Sequence, residues 1–526
     1  MIILFIQHKT ININNNMKTK LIKYFLLFTF LICCKSEKIA SKKNPNIVII
    51  YLDDLGYGDV SAYKNGLLKT PNIDKLANEG LKFYNGYSSS ATCSPSRYAL
   101  LTGTYPWRNP RAKIITGGSL IIDTLEMTMP KMLKEKGYKT GIVGKWHLGL
   151  GIDKIDYNKI IYPGPNEIGF DYSYIMADTQ DRVPSVYIED GKVVNLDPND
   201  PIEVNFNKDD YGLPTGLKNP ELTSMKWHHG HNGSIVNGIP RIGFMKGGIK
   251  ARWSDIDMAD HFLKKAEEYI IKNKDETFFL YYSLQQPHVP RTPHPRFEGK
   301  SGMGPRGDVI IEADWCIGEL YKTLESQGIL KNTLIILSSD NGPVLNDGYF
   351  DNAVEMIGDH NPSGGLRGGK YSLFEAGTRV PFITYWKGKI NSGVSNEIIS
   401  QLDLFNSISE IVDSKFKSND GLNLSNLIIN NQGKGRDELI LEATTRTAYR
   451  NKNWVMIPPY NGQKINKNVD IELGNSKDFM LFNLDEDPFQ KNNLAKKEPD
   501  KLNQMISDFV KIRGKNFSNI KNLKLE

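Results

Sequence analysis

The stretch NIVIIYLDD, residues 46–54, joins an apolar run to two carboxylates at its end. The apolar residues are continuous and mostly β-branched, which is typical of a strand covered on both faces in a parallel sheet. Three further runs have the same form: TGIVGKWH (140–147), TFFLYYSLQQPH (277–288) and TLIILSSDNG (333–342). Helical patterns such as MPKMLKEKG lie between them. This alternation predicts a large layered α/β domain with a mostly parallel central sheet.

Changes in pattern divide the 526-residue chain into parts. We predict a leader at residues 1–34, a tether at 35–45, the large α/β domain at 46–390 and a smaller α+β domain at 391–526. Short strand patterns (NWVMIPPY, FMLFNLDEDP) predict an antiparallel sheet in the last part. Residues 152–250 are rich in Pro, Gly, Asn and Asp, which predicts long insertion loops of the kind that select substrates.

The leader pattern is MKTKLIKYFLLFTFLICC, residues 17–34. Lysines precede an apolar run that is too short to span a bilayer, the layout of a secretory signal, so Met17 is predicted as the true start. LICC resembles a bacterial lipobox, which predicts lipidation at Cys34 or Cys33; an ordinary cleaved signal is the alternative. We therefore expect a bacterial protein exported to the periplasm, or anchored by lipid to the outer membrane or cell surface.

Charge and cysteine content exclude some classes of function. The formal net charge is +6, but residues 1–34 carry four lysines and no acid, so the remainder is close to neutral. Such a balance gives no argument for a nucleic-acid partner. With Cys33 and Cys34 in the leader, only Cys93 and Cys316 remain, so no disulfide framework is expected.

Two of the predicted strands end in oxygen ligands. Asp53 and Asp54 close the first, and Asp340 and Asn341 close the last. Sites in parallel α/β sheets gather where the carboxyl ends of strands meet. Three carboxylates and one amide oxygen predict a Ca²⁺ or Mg²⁺ site rather than a zinc site. Strand-end aspartates that merely form turns are the alternative.

The stretch ATCSPSRYALLTG, residues 91–103, predicts a short helix that begins near Cys93 and stops at Gly103. Cys93 would lie at the helix N-terminus, where free N–H groups favour an anion, and Arg97 would follow one turn later on the same face. This pattern predicts a pocket for a tetrahedral oxyanion. A buried structural cysteine and a thiolate nucleophile are the alternatives.

Four more side chains are candidates for the same site. Lys145 and His147 lie two residues apart in an extended segment, so both point to one face. His288 follows a predicted strand, and Lys370 lies in the glycine-rich stretch LRGGKYSLFEAG. Each of them alone also fits an ordinary structural or solvated role.

Together these motifs resemble those of the type I sulfatases in the alkaline-phosphatase-like superfamily. CSPSRYALLTG matches the family signature C-x-P-S-R-x-x-x-L-T-G at every defined position, and GIVGKWHLG matches the second signature. TPNIDKLANEG, QPHVP, SSDNG and RGGKYSLFEAGTRVPF match further motifs in the family's order. The resemblance covers residue 46 to the C-terminus. It implies a large α/β domain with a mixed central sheet and a small C-terminal domain.

The resemblance also implies how the site works. A dedicated maturation enzyme would oxidise Cys93 to formylglycine, whose hydrate attacks sulfur and later releases sulfate with return of the aldehyde. One Ca²⁺ would be bound by Asp53, Asp54, Asp340, Asn341 and the modified Cys93. Arg97 would orient the diol, and Lys145 and Lys370 would bind the sulfate oxygens. His288 would be the general acid for the leaving alcohol, and His147 the general base.

We therefore predict a sulfatase acting on a carbohydrate, an algal sulfated polysaccharide or its oligosaccharides. The stretches at 181–194 and 238–253 resemble those of polysaccharide sulfatases, and ulvan is favoured over carrageenan, porphyran and fucoidan. Candidate substrate contacts, which equally fit ordinary loop residues, are Arg182, His228, His229 and His231.

A phosphoester hydrolase of the same superfamily would instead need extra zinc ligands and a Ser or Thr nucleophile. An inactive sulfated-glycan-binding protein would lack a catalytic residue, and none is missing.

Overall fold

The computed structural model describes residues 44–63, 67–209 and 211–514. The predicted leader, with Met17, Cys33 and Cys34, and nearly all of the predicted tether lie outside these residues. Within the described ranges, no helix is both long and apolar enough to cross a bilayer.

The strands are numbered in chain order. The first ten are β1 (Asn46–Asp53), β2 (Leu81–Tyr87), β3 (Lys139–Lys145), β4 (Tyr172–Met176), β5 (Tyr187–Glu189), β6 (Lys192–Val193), β7 (Glu203–Asn205), β8 (Ile235–Val236), β9 (Ile239–Pro240) and β10 (Phe244–Lys246). They are followed by β11 (Phe278–Pro287), β12 (Thr333–Ser339), β13 (Phe382–Tyr385), β14 (Gly393–Ser400), β15 (Glu438–Ala443), β16 (Arg446–Asn451), β17 (Trp454–Ile457), β18 (Ile465–Asn466), β19 (Ile471–Glu472) and β20 (Met480–Asn483).

The α-helices are numbered in the same way. They are α1 (Pro71–Glu79), α2 (Cys93–Thr102), α3 (Met129–Glu135), α4 (Met258–Asn273), α5 (Gly304–Ser326), α6 (Glu375–Thr378), α7 (Asp403–Ile411), α8 (Ser425–Asn430) and α9 (Pro499–Arg513).

A ten-stranded mixed sheet forms the centre of the structure, in the order β14-β2-β13-β12-β1-β11-β3-β4-β5-β6. The five neighbouring strands β12, β1, β11, β3 and β4 are all parallel. On one side of these five strands, β13 pairs antiparallel with β12 and with β2. On the other side, β5 pairs antiparallel with β4 and with β6. This confirms the predicted α/β fold with a mixed, mostly parallel sheet.

Strand β1 shows why its sequence has no polar alternation. Ile49 pairs with strands on both sides, and every residue of β1 is buried. Ile47 and Ile49 face one core, which α2, α3, α7 and α8 cover; Val48 and Ile50 face the other, which α1, α4 and α5 cover. Each such side chain stabilises the fold by about 1.5–3 kcal/mol, so both faces require apolar residues.

A four-stranded antiparallel sheet, β15-β16-β17-β20, forms a smaller layer, as predicted for the C-terminal part. Helix α9 packs against it through Met505 and Phe509. Strand β14 and helix α7 follow the predicted boundary at residue 391, yet β14 pairs with β2 of the large sheet and α7 packs on its face. We propose that the smaller layer begins at β15.

Candidate active site

The carboxyl ends of β1 and β12 bring the predicted oxygen ligands together. The two strands are parallel neighbours, and Leu52 pairs with Ser339, so the residues that follow leave the sheet at the same edge. The Asp54 backbone N–H donates to Oδ1 of Asp340 at 3.2 Å. The Asn341 side-chain amide donates to Oδ1 of Asp54 at 2.7 Å. All of these side chains are buried.

The acidic cluster fits a divalent cation. One ligand atom from each of Asp53, Asp54, Cys93 and Asp340 lies within 4.8 Å of the others. Oδ1 of Asn341 is buried and has no hydrogen-bond partner, which costs about 1–3 kcal/mol when nothing compensates. An orphaned amide oxygen beside three carboxylates is the donor set that Ca²⁺ or Mg²⁺ prefers.

The charges within the cluster are unequal. Burial alone would raise the pKa of Asp340, but the Arg97 guanidinium outweighs it and lowers this pKa to about 2. Burial, followed by the charge of Asp340, raises the pKa of Asp53 well above its usual range. The carboxylates repel one another at this edge, and a bound cation would relieve that repulsion.

Helix α2 begins at Cys93, as the sequence predicted, and it carries Arg97 one turn later on the same side. Arg97 donates to Oδ2 of Asp340 from Nε at 3.0 Å and from Nη2 at 2.7 Å. The Cys93 thiol lies 3.5 Å from Oδ1 of Asp53. Burial and the charge of Asp340 raise the pKa of Cys93 well above that of a free thiol. Within the protein alone, this environment favours the thiol over the thiolate.

Both predicted lysines reach the same cluster. Nζ of Lys145 lies 2.5 Å from Oδ2 of Asp53. Nζ of Lys370 lies 2.8 Å from Oδ2 of Asp54 and 2.9 Å from Oδ2 of Asp347. Sequence reasoning missed Asp347, because it lies in an irregular loop where no periodicity or spacing marks it.

The two predicted histidines are buried near the lysines. Nδ1 of His288 bonds the Val289 carbonyl oxygen at 2.8 Å, and Nε2 lies 3.9 Å from Oδ2 of Asp54. Burial, followed by the charge of Lys370, lowers the pKa of His288 to about 4. The neutral ring donates its Nδ1 proton to that carbonyl, so Nε2 must gain a proton before it can act as an acid.

His147 has a comparable environment. Its Nε2 lies 3.0 Å from the Ile115 carbonyl oxygen, and its Nδ1 is buried without a hydrogen-bond partner. Burial, followed by the charge of Lys145, lowers the pKa of His147 well below the usual value. A neutral ring with an unpartnered nitrogen can accept a proton, which agrees with the base role implied by the resemblance.

Residues of the predicted insertion segment, 152–250, lie beside these histidines. Nε2 of His231 lies 2.8 Å from Oδ2 of Asp181, and Arg182 lies 3.4 Å from Nε2 of His147. The cavity that Cys93 lines is also lined by His229, but not by His228. Sequence reasoning missed Asp181, although it precedes the predicted Arg182.

Gly348 explains how His231 reaches this position. A Cβ on Gly348 would lie 1.9 Å from Nδ1 of His231, and its φ of +96° is unfavourable for other residues. The Gly348 backbone N–H donates to Nε2 of His228 at 3.2 Å. The loop that carries Asp347 is therefore held against the histidine segment.

Most of these side chains share one cavity of about 270 Å³. Cys93, His288 and Lys370, which contact the carboxylates of the acidic cluster, define its inner end. Arg182 and His231 line the wall formed by the insertion segment, and His147 lies beside Arg182. Ligand pockets usually measure roughly 300–1,000 Å³, so this cavity has room for one small polar group such as a single sugar. Its inner end combines cations with a helix N-terminus, which suits an oxyanion.

Comparison with known proteins agrees with this chemistry. The family model described as sulfatase matches residues 45–414. An N-acetylgalactosamine-6-O-sulfatase of Bacteroides thetaiotaomicron is 46% identical over 481 residues, which cover 90% of this chain and 94% of that protein. Human arylsulfatase A is 31% identical over 415 residues, which cover 76% of this chain and 71% of arylsulfatase A.

Solved structures of other proteins share the fold of this chain. One from work on glycosaminoglycan metabolism by Bacteroides thetaiotaomicron superimposes with a TM-score of 0.88 at 45% identity, covering 90% of this chain and 100% of that one. A sulfatase from Pseudoalteromonas sp. shares the fold, with a TM-score of 0.65 at 24% identity over 97% of both chains.

Proposed function

Because the chain belongs to the sulfatase family, whose members are sulfuric ester hydrolases, we propose that it removes the 6-O-sulfate from N-acetylgalactosamine residues of glycans. The observation that carries this proposal is the 46% identity, over 90% of the chain, to a bacterial N-acetylgalactosamine-6-O-sulfatase. Ulvan, which the sequence patterns favoured, is the competing substrate in the test below.

The two ends of the cavity support a sulfated sugar as substrate. The inner end holds Cys93 and Lys370, the groups suited to a sulfate. The other side presents Arg182, Asp181 and His231, which offer donors and acceptors for sugar hydroxyls. Since the cavity has room for a single sugar, we propose that the enzyme acts on terminal residues of a glycan.

The geometry also bears on the two alternative functions. Two zinc ions of a phosphoester hydrolase would require several histidines at the acidic cluster, and among the described residues His288 is the histidine that groups with it. A binding protein without activity would need no such complement of buried cations, carboxylates and histidines around Cys93.

We further propose that a maturation enzyme converts Cys93 to formylglycine, and that Asp53, Asp54, Asp340 and Asn341 bind Ca²⁺. When present, these groups would supply the attacking hydroxyl and lower its pKa. The leader pattern supports the proposal that the protein is exported, as a lipoprotein or a free protein, and meets its glycan outside the cytoplasm.

The chain's own residues then hold the sulfate and move the protons. Lys370 lines the inner end and Lys145 reaches Asp53 of the acidic cluster, so two buried ammonium groups are available to bind sulfate oxygens as negative charge develops in the transition state. Burial is the main cause of the lowered pKa of His288, and the charge of Lys370 adds to it; an anion bound beside Lys370 offsets that second cause. His288 is then more readily protonated, as a proton donor to the leaving 6-oxygen must be.

The proposed specificity is tested by sulfate release from defined sugars. We expect kcat/KM for N-acetylgalactosamine 6-sulfate to exceed that for the 4-sulfate isomer and for ulvan oligosaccharides by at least about tenfold, since one lost charge-assisted hydrogen bond costs about 1.5–3 kcal/mol. Faster release from ulvan, or equal rates on both isomers, would refute the proposed substrate.

The Arg182→Met variant is the matched control for this test. Arg182 bonds Thr179 and lies 3.4 Å from Nε2 of His147, rather than beside the lysines proposed to bind sulfate, so its loss should lower kcat/KM for the sugar sulfate by about 10- to 100-fold. Hydrolysis of a small aryl sulfate should fall less, because that substrate has no sugar hydroxyls and shares only the contact with His147. An equal loss on both substrates would place Arg182 in the chemistry instead.

Metal removal gives an independent readout of the acidic cluster. We expect chelation by EDTA to lower both the melting temperature and activity, and added Ca²⁺ to restore them, because ligand at 100 times its Kd stabilises by about 2.7 kcal/mol. The Asn341→Ala variant, which removes the orphaned oxygen, should lose most of this Ca²⁺-dependent stabilisation.

The Asn466→Ala variant is the control for metal binding. Asn466 is also buried, but it lies on β18 and lines the cavity, rather than lying at the carboxyl end of β1 or β12 as the proposed metal ligands do. It should keep the full response to Ca²⁺. If the wild-type protein melted at the same temperature in EDTA and in Ca²⁺, the proposed metal site would be contradicted.

A further inference from the structure

A second cavity, of about 420 Å³, lies beside the first. Val469 lines both. Asp347 belongs to the first cavity, while Asn346 and Tyr349, on either side of it in the chain, belong to the second. We propose that this second cavity binds the sugar linked to the sulfated residue, and that it accepts an uncharged sugar rather than a uronate. This inference rests on the proposed function.

An exposed aromatic side chain marks the cavity as a binding surface. Phe350 lines it and is 62% exposed, while its ring lies 4.9 Å from the ring of His228. Val354, also in the lining, is 52% exposed. Apolar groups left open at a concave surface are typical of ligand grooves. The apolar C–H face of a sugar ring can pack on Phe350, while its hydroxyls reach water and the polar lining.

The polar lining selects against anionic sugars. Among the described residues that line the second cavity there is no lysine or arginine, whereas Asp351, Glu355 and Asp470 are present. Asp351 is neutralised by Arg291, whose Nη1 donates to it at 2.8 Å, but Glu355 and Asp470 are exposed at the surface. A uronate or a second sulfate would face these acids without a compensating cation, so its binding is disfavoured.

Arg291 fixes the second cavity relative to the catalytic groups. This buried side chain donates to the Val344 carbonyl oxygen at 3.1 Å and to that of Leu345 at 2.8 Å. It also donates to the Pro287 carbonyl oxygen at 3.0 Å, one residue before His288. The wall of the second cavity is therefore preorganised, which reduces the entropy lost when a second sugar binds.

The test compares three substrates of the full-length, active enzyme. These are free N-acetylgalactosamine 6-sulfate and two disaccharides that carry it at the non-reducing end, attached to N-acetylglucosamine or to glucuronic acid. We expect the highest kcat/KM for the disaccharide with the neutral sugar. Phe350→Ala should lower that value about fivefold to tenfold and leave the value for the free monosaccharide unchanged.

Two further variants sharpen the result. Ile249→Ala removes an equally exposed apolar side chain, 68% accessible, that lines neither cavity, and it should change no rate. Glu355→Lys adds a cation to the second cavity and should raise kcat/KM for the glucuronic acid disaccharide at least about threefold.

The outcomes separate this inference from the proposed function. Equal effects of Phe350→Ala on the monosaccharide and the neutral disaccharide, or a preference of the wild-type enzyme for the glucuronic acid disaccharide, would overturn the inference alone. Failure of the active wild-type protein to desulfate the monosaccharide and both disaccharides would count against the proposed function instead.

Discussion

Replacement of Cys93 by alanine should abolish sulfate release and leave the fold intact. The side chain lies at the inner end of the cavity and is the precursor of the proposed attacking group, so turnover should fall at least about 10⁴-fold, as it does when a nucleophile is removed from other enzymes. Its one hydrogen bond is long, 3.5 Å to Asp53, so the free energy of unfolding should change by only about 1 kcal/mol.

Cys316→Ala is the matched control for this prediction. Cys316 is the other buried free cysteine among the described residues, but it lies in helix α5 within the apolar core. Its loss should preserve turnover per folded molecule. Sulfate release by the Cys93→Ala variant, measured as inorganic sulfate on N-acetylgalactosamine 6-sulfate, would contradict the proposed mechanism.

Replacement of Arg97 by methionine should both inactivate and destabilise the protein. The guanidinium is fully buried between Asp340 and Oγ of Ser283, which it contacts at 2.6 Å. Methionine keeps much of the volume but leaves the buried carboxylates without their cation. Breaking such a pair costs about 3–5 kcal/mol, which should appear as a lower midpoint of urea unfolding.

The Arg97→Lys variant separates charge from geometry. Lysine keeps the positive charge but lacks the planar group that donates from Nε and Nη2 to Oδ2 of Asp340 and from Nη1 to Ser283, so it should recover part of the stability and little of the activity. Ca²⁺ should reduce the deficit of the methionine variant, because a cation in the cluster compensates the same carboxylates. An unchanged unfolding midpoint of that variant in EDTA would show that Arg97 does not neutralise the cluster.

The strand ends were predictable from sequence because their signal is local. A continuous apolar run in NIVIIYLDD requires burial on both faces, and the chain must then leave the sheet at its carboxyl edge, where Asp53 and Asp54 follow. The parallel pairing of β1 with β12 brings Asp340 to the same place. Cys93 and Arg97 are likewise fixed by the helix that begins at the proline-containing stretch.

His231 was a candidate from its sequence, but its approach to Asp181 and to the loop of Asp347 was not predictable in the same way. These residues lie in irregular segments that are far apart in sequence, and they meet through contacts such as the fit of Gly348 against His231. No periodicity encodes such contacts. The pairing of β14 with β2 had the same limit, since it spans more than 300 residues.

The chemical identity of residue 93 in active protein distinguishes formylglycine from a cysteine thiol as the source of the attacking group. Mass spectrometry of the peptide that contains this residue, taken from a preparation that releases sulfate, should find formylglycine in place of cysteine. Active protein in which residue 93 is entirely unmodified cysteine would contradict the account.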